Sequence, residues 1–341
     1  MLAAGSGSAS SGSPTLQQLI GQKLVVRMKG KAPSASLLGR ARSGRIGGVI
    51  IHRDNLGSAP ALRAITSKLE RAAAAGGQPP LLIAVDQEGG SVKTVSWIPP
   101  TLSPPQMGGL GSGRRARIQG EQTGKGLRGL GINTDFAPVA DVPGSTWSFL
   151  YRQGRTWSLD AHTTARLAGW FAIGLGQGGA LATAKHFPGL GLAARDTDRH
   201  VVRITASQTA LAPGLMPFRT AVADHVPLIM LSNAVYTAYD PANAAGWSRS
   251  VGTTLLRGQL GYRGATITDS LDGAAHPRHV SASSLAIRAA NAGTDLLLLT
   301  ASEAGSKGVY SSLLGAAAAG RVDRARMLAS YKRILALKSG L

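Results

Sequence analysis

The sequence predicts an α/β fold, a single-domain (β/α)8 barrel of the TIM type. Eight short apolar runs alternate with longer stretches of helical periodicity along the 341 residues. Runs that are apolar on both faces are typical of strands buried in a parallel sheet, and their alternation with helices favours a barrel. In addition, ionisable and amide side chains gather where these runs end, which is where barrel enzymes carry their active sites.

Each predicted strand is six to eight residues long, too short for a typical helix of the same composition. Because all eight are nearly continuously apolar, we expect both faces of each strand to be buried. The strands are KLVVRM (23–28), GGVIIH (47–52), LLIAVD (81–86), INTDFAPV (132–139), LATAKHF (181–187), PLIMLSN (227–233), GATITDS (264–270) and TDLLLLT (294–300).

Amphipathic stretches between these strands predict helices, and Gly293 is placed to end one of them. The last stretch predicts the helix that closes the barrel. A doubly wound sheet is the alternative, but it calls for a glycine-rich turn after the first strand, and KLVVRMKGKAP has no GxGxxG. The predicted helices are 61–75, 158–176, 207–224, 281–293 and 322–340.

The first fourteen residues, MLAAGSGSASSGSP, are rich in Gly and Ser and predict a flexible tether ahead of a barrel domain over residues 15–341. They lack the basic and apolar regions of an intact signal peptide. No run reaches the roughly 18 apolar residues that a transmembrane helix needs. There is no Cys, which excludes disulfides, a thiolate nucleophile and cysteine-ligated zinc.

The chain carries 37 Lys and Arg against 17 Asp and Glu, a net charge of +20. Such a charge predicts either an anionic partner, such as a cell-wall polymer, or an Arg-rich composition spread over the surface. The cations are dispersed and not interleaved with aromatic residues, so no specific nucleic-acid partner is expected. The oligomeric state is left open.

Polar residues follow at least five different predicted strands. A lone Asp at a strand end often caps the next turn. Five strands that each place such a group at the same end of the barrel, however, favour an active site. These residues are Asp86, Asp135, Asp141, Lys185, His186, Asn233 and Asp269.

Two arrangements have catalytic potential. Asp269 ends the run ATITD, where burial and a nearby cation such as Lys185 would tune it as a nucleophile or base. Asp198 and His200 are two residues apart, so an extended loop would place both on one face, and a carboxylate that orients an imidazole makes a general acid/base. The alternative for DxH is an ordinary solvated loop.

Two other chemistries are alternatives to nucleophilic and acid/base catalysis by these residues. Lys185 could form a Schiff base, although nothing else in the chain makes that specific. His186, His200, Asp196 and Asp198 could ligate a metal, but no HExxH or HxH spacing accompanies them. We therefore expect no metal and no organic cofactor.

Six motifs occur in an order and spacing that resemble glycoside hydrolase family 3, most closely its single-domain β-N-acetylglucosaminidases. The resemblance runs from about residue 15 to 340. The motifs are AVDQEGGSV (84–92), NTDFAPVADV (133–142), QGRTWS (153–158), KHFPGLG (185–191), DTDRH (196–200) and LLRGQLGYRGATITDSL (255–271).

The resemblance implies a retaining mechanism with Asp269 as nucleophile, His200 as acid/base on a mobile loop, and Asp198 as the residue that holds His200. It also implies that sugar hydroxyls are held by Asp86, Arg155, Lys185 and His186. The use of a histidine departs from the two-carboxylate template of glycosidases.

Several positions depart from the family pattern. Ser91 and Thr94 stand where Arg residues are expected, Leu190 replaces a His, and the loop at 192–196 is about two residues longer. The expected function is removal of terminal β-linked N-acetylglucosamine from cell-wall or chitin-type oligosaccharides. The alternatives are a β-glucosidase or broad exo-glycosidase, and a weakened barrel that binds anionic glycan. An extracytoplasmic or cell-envelope location is expected, with a cytoplasmic one left open.

Overall fold

The computed structural model describes residues 13–341. The predicted tether, residues 1–14, therefore lies almost wholly outside the described residues. Within the described part, all eight predicted strands form; β5 has the predicted bounds, and the other seven are shorter than their apolar runs. They are β1 (Leu24–Arg27), β2 (Gly48–Ile50), β3 (Leu82–Val85), β4 (Thr134–Asp135), β5 (Leu181–Phe187), β6 (Leu228–Leu231), β7 (Ala265–Thr268) and β8 (Leu297–Leu299).

The strands form one parallel sheet in the order β7-β6-β5-β4-β3-β2-β1-β8. A parallel bridge between Ile267 and Leu296 joins the two ends of this order. Backbone hydrogen bonds from Thr268 N to Leu296 O at 3.0 Å and from Leu296 N to Thr266 O at 2.8 Å support the same junction. The sheet is thus closed into the predicted barrel.

Helices cover the outside of the barrel. The five predicted helices form at 59–75, 161–177, 208–223, 282–292 and 324–338, and Gly293 ends the fourth with φ of 96°. The helices are α1 (Leu16–Gly21), α2 (Ala35–Arg42), α3 (Ala59–Ala75), α4 (Pro104–Leu110), α5 (Gly113–Arg128), α6 (Phe149–Arg152), α7 (Ala161–Gln177), α8 (Gln208–Ala223), α9 (Leu271–Ala275), α10 (Ala282–Ala292), α11 (Glu303–Ala318) and α12 (Arg324–Lys338), with a π-helix over Ser250–Gln259 after β6.

The core has two parts, as expected of a barrel whose interior is filled by side chains. One cluster lies inside the barrel and includes Val25, Leu82, Met230 and Ile267. A larger one lies between the sheet and the helices. The packed interior closes the floor beneath the carboxyl ends of the strands, so a ligand can enter only from that end.

Strand β5 contains an irregularity that shapes this end. Lys185 pairs with Met230 and Phe187 pairs with Leu231, so His186 is an extra residue in the register. In a regular strand neighbouring side chains point to opposite faces, and a bulge changes this locally. Both Lys185 and His186 consequently line the same cavity.

Candidate active site

A cavity of about 290 Å³ opens at the carboxyl ends of the strands. Its volume is near the lower end of the range for small-ligand sites, so it suits a small ligand. Residues at or just beyond the ends of β2, β3, β5, β6, β7 and β8 line it: Ile50, His52, Asp86, Lys185, His186, Met230, Asp269, Ser270, Leu298 and Thr300. Of the predicted strand-end residues, Asp86, Lys185, His186 and Asp269 line this cavity, whereas Asp135, Asp141 and Asn233 are not among its lining residues.

Four charged side chains form a network on one wall. Lys185 Nζ lies 2.7 Å from Asp86 Oδ1 and 2.6 Å from Glu88 Oε1. Arg155 holds the same Glu88 with two hydrogen bonds, from Nε to Oε2 and from Nη2 to Oε1, both 2.8 Å. Glu88 is thus the hub that fixes the directions of both cations.

The charges in this network stabilise one another. Burial would raise the pKa of Glu88, but the charges of Arg155 and Lys185 and their hydrogen bonds outweigh it and lower the pKa to about 2. Burial would likewise lower the pKa of Lys185, and Asp86 and Glu88 raise it above its ordinary value. Glu88 and Lys185 are therefore both charged at neutral pH, and Lys185 is held as an ammonium, which is unsuited to Schiff-base formation.

His186 is oriented from behind by a buried carboxylate. Its Nδ1 lies 2.7 Å from Asp141 Oδ2, and its backbone N–H donates to the same carboxylate. Because an ionised carboxylate only accepts hydrogen bonds, this contact assigns the proton to Nδ1. The opposite edge of the ring, with Nε2, is then available on the cavity side.

The hairpin after β3 is held rigidly. Gln87 N donates to Asp135 Oδ1 at 3.0 Å, and the Gln87 amide exchanges two hydrogen bonds with the Val95 backbone. Burial raises the pKa of Asp135 well above its usual range. These contacts fix the position of Glu88, the next residue in the chain, relative to Arg155 and Lys185.

Asp269 follows β7 and is half-buried on the cavity wall. Its Oδ1 accepts from Ser270 N at 2.7 Å. Ser270 Oγ is in turn 2.6 Å from Thr300 Oγ1, which ties the end of β7 to the end of β8. In the barrel order β7 lies opposite β3, so Asp269 and the Asp86 wall face each other across the cavity.

Asp198 reaches the same cavity from the loop after β5. Asn233 Nδ2 donates to Asp198 Oδ1 at 3.3 Å. The carboxyl group packs over Gly273 so closely that a Cβ there would lie 2.6 Å from Asp198 Cγ. Although Asp198 is in contact with solvent, its pKa is raised to about 8. Burial by the surrounding protein is the largest cause, and the charges of Asp269 and Asp196 follow.

His200 does not line the cavity and is exposed. The expectation of an extended DxH segment is wrong for this conformation, because the chain turns instead: Arg199 N and His200 N both donate to Asp196 O. His200 Nδ1 lies 3.3 Å from Asp196 O. Among the described hydrogen bonds none joins Asp198 to His200, so the predicted pair is not assembled here.

The first half of this loop is hydrogen-bonded to α6 and to the segment before it. Leu190 N donates to Asp141, Gly144 N to Gly191 O, and Phe149 N to Ala193 O. Arg152 Nη2 reaches Ala194 O at 2.8 Å. From residue 195 onward, no described hydrogen bond joins this loop to α6 or to the segment before it. This part of the loop carries both Asp198 and His200.

The structure also shows where the residues that depart from the family pattern lie. Ser91 Oγ donates to Gln153 O at 2.8 Å, and Leu190 is buried on the cavity wall. Thr94 N donates to Asp86 O at 3.1 Å, but Thr94 is not among the residues that line the cavity in the described chain.

Sequence reasoning missed two ionisable residues that line the cavity, Glu88 and His52. Glu88 lies inside the quoted DQEGG motif, and the signal for it was a carboxylate two residues after a predicted strand-end Asp. His52 is the last residue of the predicted second strand, where a polar strand-end residue is the expected signal.

Over residues 13–341, no group of three or more His, Asp or Glu side chains is arranged to hold a metal ion. No helix in the same range has the length and apolarity needed to cross a membrane.

The model of the "Glycosyl hydrolase family 3 N terminal domain" matches residues 15–337. An uncharacterized secreted glycosyl hydrolase from Arthroderma benhamiae is 33% identical over 327 residues, which cover 94% of this chain and 92% of the relative. A β-hexosaminidase from Alkalilimnicola ehrlichii is 34% identical over 263 residues, 75% of this chain and 74% of that protein.

Solved structures show the same fold. A family 3 β-N-acetylglucosaminidase from Paenibacillus sp. matches with a TM-score of 0.92 and 30% identity, over 96% of this chain. This chain spans only 63% of that protein's length. A β-N-acetylhexosaminidase from Beutenbergia cavernae matches with a TM-score of 0.86 and 29% identity, and the match covers 96% of this chain and 99% of that one.

Proposed function

The chain belongs to glycosyl hydrolase family 3 and is a glycoside hydrolase, and from this membership and the cavity we propose that it removes terminal β-linked N-acetylglucosamine with retention. The observation that carries the proposal is a closed-end cavity of about 290 Å³ in which Asp269 faces the Asp86–Lys185 wall. Such a cavity favours action on the last sugar of a chain, because the side chains packed inside the barrel close its floor. β-Hexosaminidases among the relatives support the choice of sugar.

Asp269 is the proposed nucleophile. Its carboxylate attacks the anomeric carbon, the bond to the leaving oxygen breaks, and a glycosyl-Asp269 ester forms that water later cleaves. The hydrogen bond from Ser270 N leaves one carboxylate oxygen free to attack. A fluorinated sugar inactivator should label Asp269, and labelling of another carboxylate would contradict this role.

Sugar hydroxyls are proposed to be held by Asp86, Arg155, Lys185 and His186. These four side chains line the cavity and are already fixed by Glu88 and Asp141. Polar groups held in place before binding lose little entropy when the sugar arrives, which favours tight and specific recognition.

His200 is the proposed acid/base, with Asp198 as its partner, and it has to approach the cavity for this role. The segment from residue 195 is the part of the loop that can bring His200 to the cavity, because residues 190–194 are hydrogen-bonded to α6 and to the segment before it. Closure of a short segment over bound sugar is an ordinary step in catalysis. When closed, the imidazole would protonate the leaving oxygen and then take a proton from water.

Asp198 and Asp196 are the competing candidates for the acid, because both already line the cavity. Leaving-group dependence separates them from His200. His200→Ala should lower turnover of a disaccharide far more than turnover of a dinitrophenyl glycoside, whose leaving group needs no proton. If His200→Ala lowers both equally while Asp198→Asn or Asp196→Asn shows the selective loss, the acid is a carboxyl group.

Basic residues that neighbour cavity-lining residues in the chain favour substrates attached to an anionic polymer. Five of them each precede or follow a lining residue in the chain: Arg53, Lys93, Arg152, Arg195 and Arg199. Cations at a cavity mouth raise the local concentration of anionic ligands, an effect that salt screens. Arg195→Gln should therefore raise KM for a substrate with an anionic aglycone at low salt only, whereas Arg63→Gln on distant α3 should not.

A panel of nitrophenyl β-glycosides tests the main proposal. Turnover of the N-acetylglucosaminide well above that of the glucoside supports it, and the reverse order supports the β-glucosidase alternative. An absence of turnover together with salt-sensitive binding of anionic glycan would support the weakened, glycan-binding barrel. Proton NMR of the first product anomer tests retention.

The proposed location is outside the cytoplasm or in the cell envelope, with residues 1–14 as a tether to a barrel domain over 15–341. Support comes from the Arthroderma benhamiae relative, which is described as secreted, and from the positive charge, which suits anionic envelope polymers. Fractionation of cells that express the full chain tests it, and recovery only from the cytoplasm would contradict it.

A further inference from the structure

We propose that a groove between α3 and the end of α5 binds a strand of an anionic glycan, at a site separate from the cavity. The groove has a volume of about 590 Å³, and three arginines are among its lining residues: Arg63, Arg71 and Arg128. In the described chain, the groove and the cavity share no lining residue. The inference concerns where a polymer is held and does not depend on which sugar the cavity accepts.

The three guanidinium groups are available to a ligand. All three arginines are exposed, and none of the ion pairs in the described chain includes any of them. Among the described lining residues the only acidic one is Glu70, which is half-buried and accepts a hydrogen bond from Leu81 N at 3.3 Å. The groove therefore carries more positive than negative charge, and guanidinium groups bind carboxylates and phosphates well.

The arginines are spaced for a ligand that carries several anionic groups. Arg63 and Arg71 are eight residues apart on α3, which corresponds to about 12 Å along the helix axis. Ser67 lies midway between them, lines the same groove and accepts from Arg71 Nη1 at 2.6 Å. Arg128 comes from a second element, α5. A small anion at one guanidinium group would leave the others unused, whereas a chain with repeated anionic groups can contact all three.

Helix stability does not account for two of these arginines. Cations are favoured in the last turn of a helix, where they meet the partial negative charge of the helix dipole. Arg128 occupies such a position on α5. The last turn of α3, however, contains no basic residue, because Arg63 and Arg71 both lie before it. The dipole gives these two cations little stabilisation, so their exposed charge is available for binding.

The position of the groove permits it to act together with the cavity. Its lining includes Gly129 and Gly131, in the turn before β4. That turn lies at the amino ends of the strands, whereas the cavity opens at their carboxyl ends, so a polymer in the groove leaves the cavity mouth free. Because the chain is a glycoside hydrolase, the anionic polymer expected beside its substrate is a glycan. Binding it would raise the effective concentration of the substrate near the cavity.

Fluorescence anisotropy of labelled polygalacturonate, a linear glycan with a carboxylate on every sugar, tests the proposal at low and at high salt. The groove variant is Arg71→Gln/Arg128→Gln in the full chain. The matched control is Arg249→Gln/Arg263→Gln, which removes two exposed cations that do not line the groove. Monomeric galacturonate at the same carboxylate concentration is the competitor. A single-stranded oligonucleotide and vesicles of anionic lipid replace the glycan in parallel, and thermal unfolding verifies that each variant folds.

We expect the groove variant to bind the polymer about tenfold more weakly at low salt, the effect of two exposed charge contacts, and the difference to shrink at high salt. The control variant should lose much less affinity, and the monomer should compete poorly. An equal loss in both variants, an unchanged groove variant, full competition by the monomer or no binding by the wild type would overturn the proposal. Tighter groove-dependent binding of the oligonucleotide or the vesicles would overturn the choice of a glycan. Turnover of a neutral nitrophenyl glycoside should be the same in the wild type and the groove variant; an inactive wild type would contradict the proposed function and leave the binding result readable.

Discussion

Replacement of Glu88 by Gln should destabilise the protein in a way that depends on pH. The side chain of Glu88 is 1% exposed and lies between Arg155 and Lys185. Its pKa falls from 4.5 to about 2 in the folded protein. Each pKa unit corresponds to about 1.4 kcal/mol, so the carboxylate contributes about 3 kcal/mol to the free energy of unfolding.

The sign follows from the direction of the pKa change. A depressed carboxyl pKa stabilises the fold at pH values above 4.5, and the stabilisation is lost as the pH falls from 4.5 through about 2. Glu88→Gln should therefore be about 3 kcal/mol less stable than the wild type at pH 7. This agrees in size with the roughly 3–5 kcal/mol measured when one partner of a buried ion pair is removed.

Urea unfolding followed by circular dichroism from pH 7 down to pH 2.5 measures the effect. The wild type and Glu88→Gln should converge as the pH falls through the window, because both then carry an uncharged side chain at this position. Glu121→Gln is the control, since Glu121 pairs with Lys125 on the surface of α5 and should have a much smaller effect. Parallel curves for the wild type and Glu88→Gln across the whole pH range would refute the reasoning.

Asp269→Ala should lower turnover by several orders of magnitude while the protein remains folded, as steady-state kinetics and a cooperative thermal melt would reveal. Asp198→Asn should raise the melting temperature relative to the wild type increasingly between pH 3.8 and about 8, because ionisation of a carboxyl with a raised pKa opposes folding; a constant difference would contradict this. Gly191→Ala should disrupt the loop, since its Cβ would overlap Val142 O; wild-type activity and stability would exclude that contact. Activity should survive exhaustive chelation, and loss that zinc or magnesium restores would be the contrary result.

The barrel could be predicted from the sequence because its signals are local. Strands such as Leu82–Val85 and Ala265–Thr268 are short, buried on both faces and followed by polar residues. Solvent exclusion from both faces of a parallel sheet requires that composition wherever the strand lies in the chain. Asp86, Lys185, His186 and Asp269 were found for the same reason, since a polar group at the end of a buried strand is visible without knowledge of its neighbours.

The network around these residues was decided by tertiary structure. Glu88 becomes the hub only because Arg155, 67 residues later, and Lys185 fold against it. His52 becomes a cavity residue because closure of the sheet sets β2 beside the Asp86 wall. The DTDRH segment turns at Asp196 where the pairing of Asp198 with His200 called for an extended loop, since the backbone N–H groups of Arg199 and His200 find a local acceptor there. Periodicity records which faces are buried, whereas the partners of each polar group depend on contacts between distant segments, which no local pattern contains.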